Sequence, residues 1–273
     1  MPPETIIRPI AGSEHTDPVK LWEYRHLYWT LVVREVRVKF DNVKFGALWA
    51  CARPALMVVI LVGIQGGFMG VWPEAMPFPM FVYSGIILWF YFCDCLMESA
   101  HSVQRDAAII SKVFYPRLIS PMVPMVSRSV DFGIAAIPLV GFMVYYRAFP
   151  GWNILLLPLV LLVTAFMALG AGLIFAGLML HRRDWERVLD LILYVGLFAA
   201  PVFHSYALLT GSFRLMEFLN PVAGVISAFR SCLSSAVPFP TLSFLESVAY
   251  AVVFMTVGTW QFRRLQDRLL EML

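Results

Sequence analysis

The stretch WNILLLPLVLLVTAFMALGAGLIFAGLML, residues 152–180, carries no charged side chain over its whole length. An α-helix that crosses a bilayer needs about 20 mostly apolar residues, because the hydrocarbon layer is about 30 Å thick. A helix on the surface of a soluble protein would need a polar face instead. The stretch therefore predicts a transmembrane helix and sets the fold class of the chain.

The composition of the whole chain agrees with that class. Of its 273 residues, 60% are hydrophobic and only 14% are charged, with a formal net charge of +3. A soluble domain carries about 25% charged residues, so a soluble fold could not cover its surface here. The first 20 residues contain prolines and charges but no apolar run, so we expect no cleaved signal peptide.

Six segments are long and apolar enough to span a membrane. They are residues 45–70, 78–98, 118–145, 152–180, 188–208 and 244–262. Lipid cannot hydrogen-bond exposed peptide groups, so we expect helices, and the alternating pattern of a membrane barrel is absent. The prediction is an all-α integral membrane protein with six transmembrane helices.

Lysine and arginine predict the orientation. If both termini lie in the cytoplasm, the inner segments hold 16 basic residues and the outer segments hold three. Basic residues accumulate on the cytoplasmic side of membrane proteins. We therefore expect residues 1–44 and 263–273 to be cytoplasmic.

Two further segments are expected to contact the membrane without crossing it. Residues 22–40, read as a helix, carry two apolar stripes and basic flanks, which is typical of an interfacial helix. The first stripe contains Trp22, His26, Trp29, Val33, Val36 and Phe40, and the second contains Leu27, Leu31 and Val38. One stripe would face lipid and the other the bundle. Between spans five and six, residues 205–241 are too apolar for a simple loop, and Pro221 predicts two short re-entrant helices.

Motifs for catalysis and metal binding are missing from the sequence. It contains no phosphate-binding loop, no HExxH and no GxSxG. We expect no catalytic, cofactor-binding or metal-ligating residue, and any ATP hydrolysis must come from another chain. Cys51, Cys93, Cys95 and Cys232 are expected to pack as small apolar side chains.

Charged, aromatic and small residues within the spans each allow two interpretations. Arg128 and Asp131 can pair on one helix face, and Asp94 and Glu98 lie in the inner half of span two. Such groups either contact a substrate or carry protons, or they pair with one another and have a structural role. Trp89, Phe90 and Phe92 belong to an interfacial belt or line a conduit for sugars. Small-residue pairs such as Gly63/Gly67, Gly66/Gly70 and Gly172 with Ala168 and Ala176 indicate a seam between copies or within the bundle.

Five short motifs occur in an order that resembles one known family. The first is RVKF at 37–40 with FGALW at 45–49 and Pro54, and the second is Phe81, Gly85, LWF at 88–90 and Phe92. The third is IISKVFYPR at 109–117, and the fourth is Arg183-Asp184. The fifth is APVF at 200–203 with NPVAG at 220–224 and Phe229-Arg230. The chain resembles the transmembrane subunit of ABC-2-type exporters of polysaccharides such as O-antigen, capsule and teichoic acid. One departure is Ala107-Ala108, where the third motif usually begins with Asn.

The resemblance implies a function and a set of partners. It implies a homodimeric permease in the bacterial inner membrane, bound to two copies of a separate ATPase that holds ATP and magnesium. Residues 45–262 would form the ABC-2-type transmembrane domain, and a polyprenyl-linked glycan would be the substrate; no nucleic acid is implied. A drug or small-lipid exporter and, from another class, an intramembrane enzyme stay open.

The resemblance, together with the side of the membrane on which each segment is expected to lie, suggests four groups of site residues. ATPase coupling is assigned to Gln104, Arg105, Asp106, Lys112, Tyr115, Pro116 and Arg117, whose polar members would face water or the partner. The substrate entrance is assigned to Arg34, Arg37, Lys39, Lys44 and Arg53. The external gate is assigned to Pro201, Phe203, Asn220, Pro221, Phe229 and Arg230, and the conduit to Trp89, Phe90 and Phe92.

Overall fold

The computed structural model describes residues 22–41, 46–68, 76–106, 116–182, 184–203 and 218–272. In these segments it contains eight α-helices, one short 3-10 helix and no β-strand, so the predicted all-α fold is confirmed for them. The helices are α1 Arg25–Asp41, α2 Gly46–Phe68, α3 Phe78–Arg105, α4 Ile119–Tyr145, the 3-10 helix Trp152–Leu156, α5 Leu157–His181, α6 Asp184–Ala199, α7 Ala223–Leu233 and α8 Thr241–Met272.

Four helical stretches are long and apolar enough to cross a membrane. They are Phe78–Arg105, Ile119–Tyr145, Trp152–His181 and Thr241–Arg264. Shorter apolar stretches lie at Ala50–Ile64 and Ala223–Leu233. The chain is therefore a multi-pass membrane protein. The predicted first and fifth spans, 45–70 and 188–208, run partly outside the described residues, so the count of six stays a prediction.

The central helix of the bundle is α3. The most apolar part of α3 is 83% buried, against 22% for α8. It packs against α4 and α5 on two sides and against α2 and α7 on the others. Because protein and not lipid surrounds α3, its side chains can be polar where a neighbouring helix supplies a partner.

Small residues bring α5 close to its neighbours. A Cβ on Gly170 would lie 2.5 Å from the backbone nitrogen of Met255 in α8, and one on Gly172 would lie 2.6 Å from Cβ of Ser99 in α3. The predicted seam at Gly172 is thus within the bundle, where small residues let helix backbones approach. On α2, a Cβ on Gly63 would meet no atom within 4 Å, and the rest of that motif lies outside the described side chains.

The N-terminal helix α1 packs on α4 through one of its two apolar stripes. Leu31 and Val32 are buried against Ile119 and Val123. The other stripe is open, with Trp22 71% and Trp29 57% exposed, as expected of a helix between the bundle and lipid. Val38 belongs to the same predicted stripe as Leu31 but does not share its burial, since it is 56% exposed.

Tyr28 adds a polar contact to the α1–α4 interface. Its hydroxyl donates a hydrogen bond of 3.3 Å to the carbonyl of Met122. Burial raises the pKa of Tyr28 to about 12, so the hydroxyl keeps its proton and remains a donor.

The short helix α7 follows Asn220-Pro221, and its predicted re-entrant character stays a prediction. The side-chain oxygen of Asn220 accepts a hydrogen bond of 3.0 Å from the backbone of Val222, which makes the turn into the helix. Every residue of α7 except Ser227 is buried, and the helix packs against α3, α5 and α8. The first predicted re-entrant helix falls largely on residues 204–217, outside the described residues.

Candidate functional site

A charged cavity of about 200 Å³ lies between α1, α2, α3 and α4. Its charged lining residues are Lys39, Arg53, Asp94, Arg128 and Asp131. Charges among apolar helices are costly, so they pair with one another or mark a functional site. In this cavity the charged side chains pair with one another.

Arg128 and Asp131 of α4 form the buried base of the cavity. They lie three residues apart, so they share a helix face, and their Nη1 and Oδ2 atoms are 3.2 Å apart. This confirms the predicted pair. Lys39 of α1 reaches the same oxygen of Asp131. Arg128 also contacts Glu98 of α3 at 3.1 Å and Glu35 of α1 at 3.3 Å.

The ion pairs continue to the end of α3. Arg105 lies 2.6 Å from Glu98 and 3.4 Å from Glu35. Arg34 lies 3.5 Å from Asp106. The carboxylates of Glu35 and Asp106 therefore tie α1 to the last turn of α3, the segment expected to contact an ATPase.

Arg53 of α2 is the most loosely held of the three cations that line the cavity. Its guanidinium lies 3.7 Å from Asp94 and sits 3.9 Å above the ring of Phe90. Its side chain is 62% exposed and that of Asp94 is 42% exposed. An exposed pair at this distance contributes little stability, so Arg53 is able to exchange its partner.

The structure pairs three of the five predicted entrance residues with carboxylates, and two of these three line the charged cavity. Arg34, Lys39 and Arg53 pair with Asp106, Asp131 and Asp94, respectively. Lys39 and Arg53 line the cavity, whereas Arg34 and Arg37 line a separate surface groove on α1. Lys44 lies outside the described residues.

Sequence reasoning missed Glu35. Its carboxylate accepts hydrogen bonds from Ser127 at 2.8 Å and from Arg128 at 3.3 Å. The available signal was its spacing, because Glu35 follows the buried Leu31 by four residues and so lies on the same face of α1.

The predicted coupling residues are only partly described. Gln104 and Arg105 are exposed at the end of α3, while Asp106 is 4% exposed. The expectation that Asp106 faces water or a partner is therefore wrong, since Asp106 is buried against Arg34 and Arg105. The carbonyl of Pro116 accepts the first hydrogen bond leading into α4, at 3.0 Å from the nitrogen of Ile119. Lys112 and Tyr115 lie outside the described residues, and Arg117 is half-buried just before α4.

The predicted gate residues converge on Arg230 of α7. Its guanidinium donates hydrogen bonds to the carbonyls of Phe81 at 3.0 Å and of Val202 at 3.1 Å. It also stacks 3.4 Å above the ring of Phe81. Arg230 thus holds α7 to the start of α3 and to the segment after α6.

The other gate residues lie around this contact. Phe229 is buried edge-on against Phe132, Pro201 is buried, and the ring of Phe203 lies 5.8 Å from that of Phe198. The carbonyl of Pro221 accepts a hydrogen bond of 2.8 Å from Ser247 of α8. The structure therefore places Asn220, Pro221, Phe229 and Arg230 in α7 or at its start, and Pro201 and Phe203 in the segment after α6. The opening of a gate there stays a prediction.

The three predicted conduit aromatics do not line one passage. Phe90 faces the charged cavity. Trp89 and Phe92 line a separate apolar groove of about 330 Å³ between α3, α5 and α6. Successive helical positions point about 100° apart, which separates Phe90 from the other two rings. The conduit role of the three aromatics stays a prediction.

The residues that an intramembrane enzyme would use are engaged elsewhere. The ring of His101 contacts the carbonyl of Met97 at 2.8 Å and Glu186 at 3.2 Å. The ring of His181 contacts the carbonyl of Gly177 at 3.1 Å. Within the described segments no three His, Cys, Asp or Glu side chains cluster as metal ligands. As expected, Cys93, Cys95 and Cys232 are buried, whereas Cys51 is half-buried.

The described helices define the class as a multi-pass membrane protein with a charged cavity between α1, α2, α3 and α4. Residues 26–234 match the ABC-2 type transporter family, and the chain belongs to that family. This confirms the resemblance drawn from the ordered motifs.

Individual relatives align over most of their length. The chain is 26% identical over 257 residues to the "O-antigen export system permease protein RfbA" of Klebsiella pneumoniae, covering 91% of this chain and 96% of the relative. It is 25% identical over 216 residues to the protein of that name from Myxococcus xanthus, covering 78% and 82%. It is 22% identical over 245 residues to the "Polysialic acid transport protein KpsM" of Escherichia coli, covering 88% and 93%.

Proposed function

We propose that this chain is the permease of an ATP-driven exporter that moves a polyprenyl-linked polysaccharide across the bacterial inner membrane. The observation that carries the proposal is its alignment over 91% of its length with a permease named for O-antigen export. The relative named for polysialic acid transport aligns over 88% of the chain. Both names refer to a polysaccharide, so the proposal names no particular glycan.

The working assembly is a homodimer of six-span subunits with both termini in the cytoplasm. Two copies of a separate ATPase bind ATP and magnesium and drive it. Closure of the ATPase pair pushes on residues 104–117, which join two spans. The ion pairs of Arg105 with Glu35 and of Asp106 with Arg34 support this route, because they transmit a push on α3 to α1.

The charged cavity is the substrate entrance, and the region around Arg230 is the external gate. A lipid diphosphate needs cations near the inner face, and Lys39 and Arg53 line the cavity. At the other end of the bundle, Arg230 holds the segment after α6 through the carbonyl of Val202. A glycan cannot leave through lipid, so we expect this contact to open during export.

Reconstitution with the cognate ATPase tests the function. Proteoliposomes holding both subunits should move a labelled polyprenyl-linked glycan into a protease- and glycosidase-protected lumen only when ATP is hydrolysed. Liposomes without the ATPase, and complexes given a non-hydrolysable nucleotide, serve as controls. ATP-dependent uptake of an amphipathic dye with no movement of the glycan would instead favour the drug-exporter alternative.

A further inference from the structure

The cavity between α1, α2, α3 and α4 contains its own counterions. Lys39 is paired with Asp131, Arg53 with Asp94, and Arg128 with Asp131. A phosphate group that enters the cavity would need the same cations. It must therefore compete with a carboxylate of the chain itself.

We infer that Asp94 holds Arg53 as a built-in counterion, and that the diphosphate of the lipid-linked substrate displaces Asp94 from the guanidinium. The inference rests on the proposed function, because that function supplies the diphosphate. It adds a carboxylate whose charge opposes substrate binding and which pairs with Arg53 between transport cycles.

The Arg53–Asp94 pair has the geometry of an exchangeable contact. Its charged atoms are 3.7 Å apart, and both side chains are substantially exposed. Phe90 stacks on the face of the guanidinium, which leaves the N–H groups at its edge free to meet a new acceptor. A planar guanidinium binds phosphate oxygens through two parallel hydrogen bonds, which a single carboxylate at 3.7 Å does not use.

Asp131 is different, and it acts as a fixed anchor. Its side chain is 13% exposed, and one of its oxygens contacts both Lys39 and Arg128. Removing Asp131 would leave the buried Arg128 short of a partner, at a cost to folding. Lys39 is 37% exposed, so it is able to keep Asp131 and still contribute a second cation to a bound diphosphate.

The experiment uses the full chain in phosphatidylcholine nanodiscs and calorimetric titration at constant ionic strength. The probes are inorganic pyrophosphate and farnesyl diphosphate. Asp94→Asn should bind both about fivefold more tightly than the wild type, since one opposing charge is gone. Arg53→Gln should bind about tenfold more weakly, and Arg53→Lys should fall between Arg53→Gln and the wild type. The matched control is Glu186→Gln, which removes an exposed carboxylate paired with His101 outside the cavity and should bind like the wild type.

Three results would contradict different parts of the proposal. Wild-type affinity in Asp94→Asn, with weakened binding in Arg53→Gln and both variants folded by size-exclusion chromatography, would overturn the counterion role. Equal competition by phosphatidylglycerol added to the nanodiscs would assign the cavity to bulk lipid phosphate and overturn the diphosphate part. Failure of glycan transport, with the predicted affinity changes intact, would contradict the proposed function and leave the exchange at Arg53 supported.

Discussion

Replacing Arg230 by lysine should destabilise the protein more than replacing it by methionine. Arg230 is 4% exposed, and within the described segments no carboxylate lies within ion-pairing distance. Its charge is satisfied by three hydrogen bonds to two carbonyls, from Nε at 3.3 Å and Nη2 at 3.0 Å to Phe81, and from Nη2 at 3.1 Å to Val202. Stacking on the Phe81 ring adds to them.

The magnitudes follow from what each substitution leaves behind. A hydrogen bond to a charged group contributes about 1.5–3 kcal/mol. Lysine has one nitrogen, so it loses at least one of these bonds while its charge stays buried, and we expect a loss of about 3 kcal/mol. Methionine loses every bond but also removes the cost of burying a charge, so we expect a loss of about 1 kcal/mol. At roughly 2 °C per kcal/mol for a chain of this size, Tm falls by about 6 °C for Arg230→Lys and about 2 °C for Arg230→Met.

A thiol-reactive fluorescent dye measures these shifts, because Cys93, Cys95 and Cys232 are buried and react when the bundle unfolds. The control is Arg147→Lys, the same chemical change at an exposed position in the loop after α4, which should leave Tm unchanged. A larger loss in Arg230→Met than in Arg230→Lys would refute the reasoning.

Three further outcomes are expected. Gly224→Ala should lower stability by about 3 kcal/mol in the same dye assay, because its Cβ would overlap a backbone carbonyl of α8, whereas Gly133→Ala meets no atom within 4 Å and should be neutral. Accessibility tags at positions 10 and 270 should be cytoplasmic and a tag at 148 external; an external C-terminus would rule out the six-span topology. In the reconstituted complex, Lys112→Glu should weaken ATPase docking or uncouple hydrolysis from export; wild-type assembly, hydrolysis and export together would move the coupling surface elsewhere.

The apolar runs of the sequence located the membrane-spanning parts of α3 and α8 but not the residues at which these helices end. The second predicted span stops at residue 98, whereas α3 continues to Arg105. The sixth stops at residue 262, whereas α8 continues to Met272. Hydrocarbon selects apolar side chains, while backbone hydrogen bonding carries a helix onward through charged residues into water or protein. Composition therefore marks the membrane core and not the helix termini.

The site was predictable only where its contacts are local. The Arg128–Asp131 pair follows from a spacing of three residues. The contact of Glu35 with Ser127 joins residues 92 positions apart, and it requires α1 to dock on α4, which no local pattern encodes. The burial of Asp106 depends on the same docking, through Arg34.

The long-range hydrogen bonds and ion pairs of α1 also determine when this helix docks during synthesis of the chain. A ribosome completes α1 before it has synthesised Asp106, Ser127 or Asp131, and the last two lie 92 residues beyond their partners on α1. Until α3 and α4 are inserted, Glu35 and Lys39 have none of these partners. Before docking, the exposed stripe of Trp22, Trp29 and Val33 allows α1 to bind at the lipid headgroups. The docking of α1 is therefore a late step of assembly, and a chain truncated before α4 should leave this helix accessible to protease.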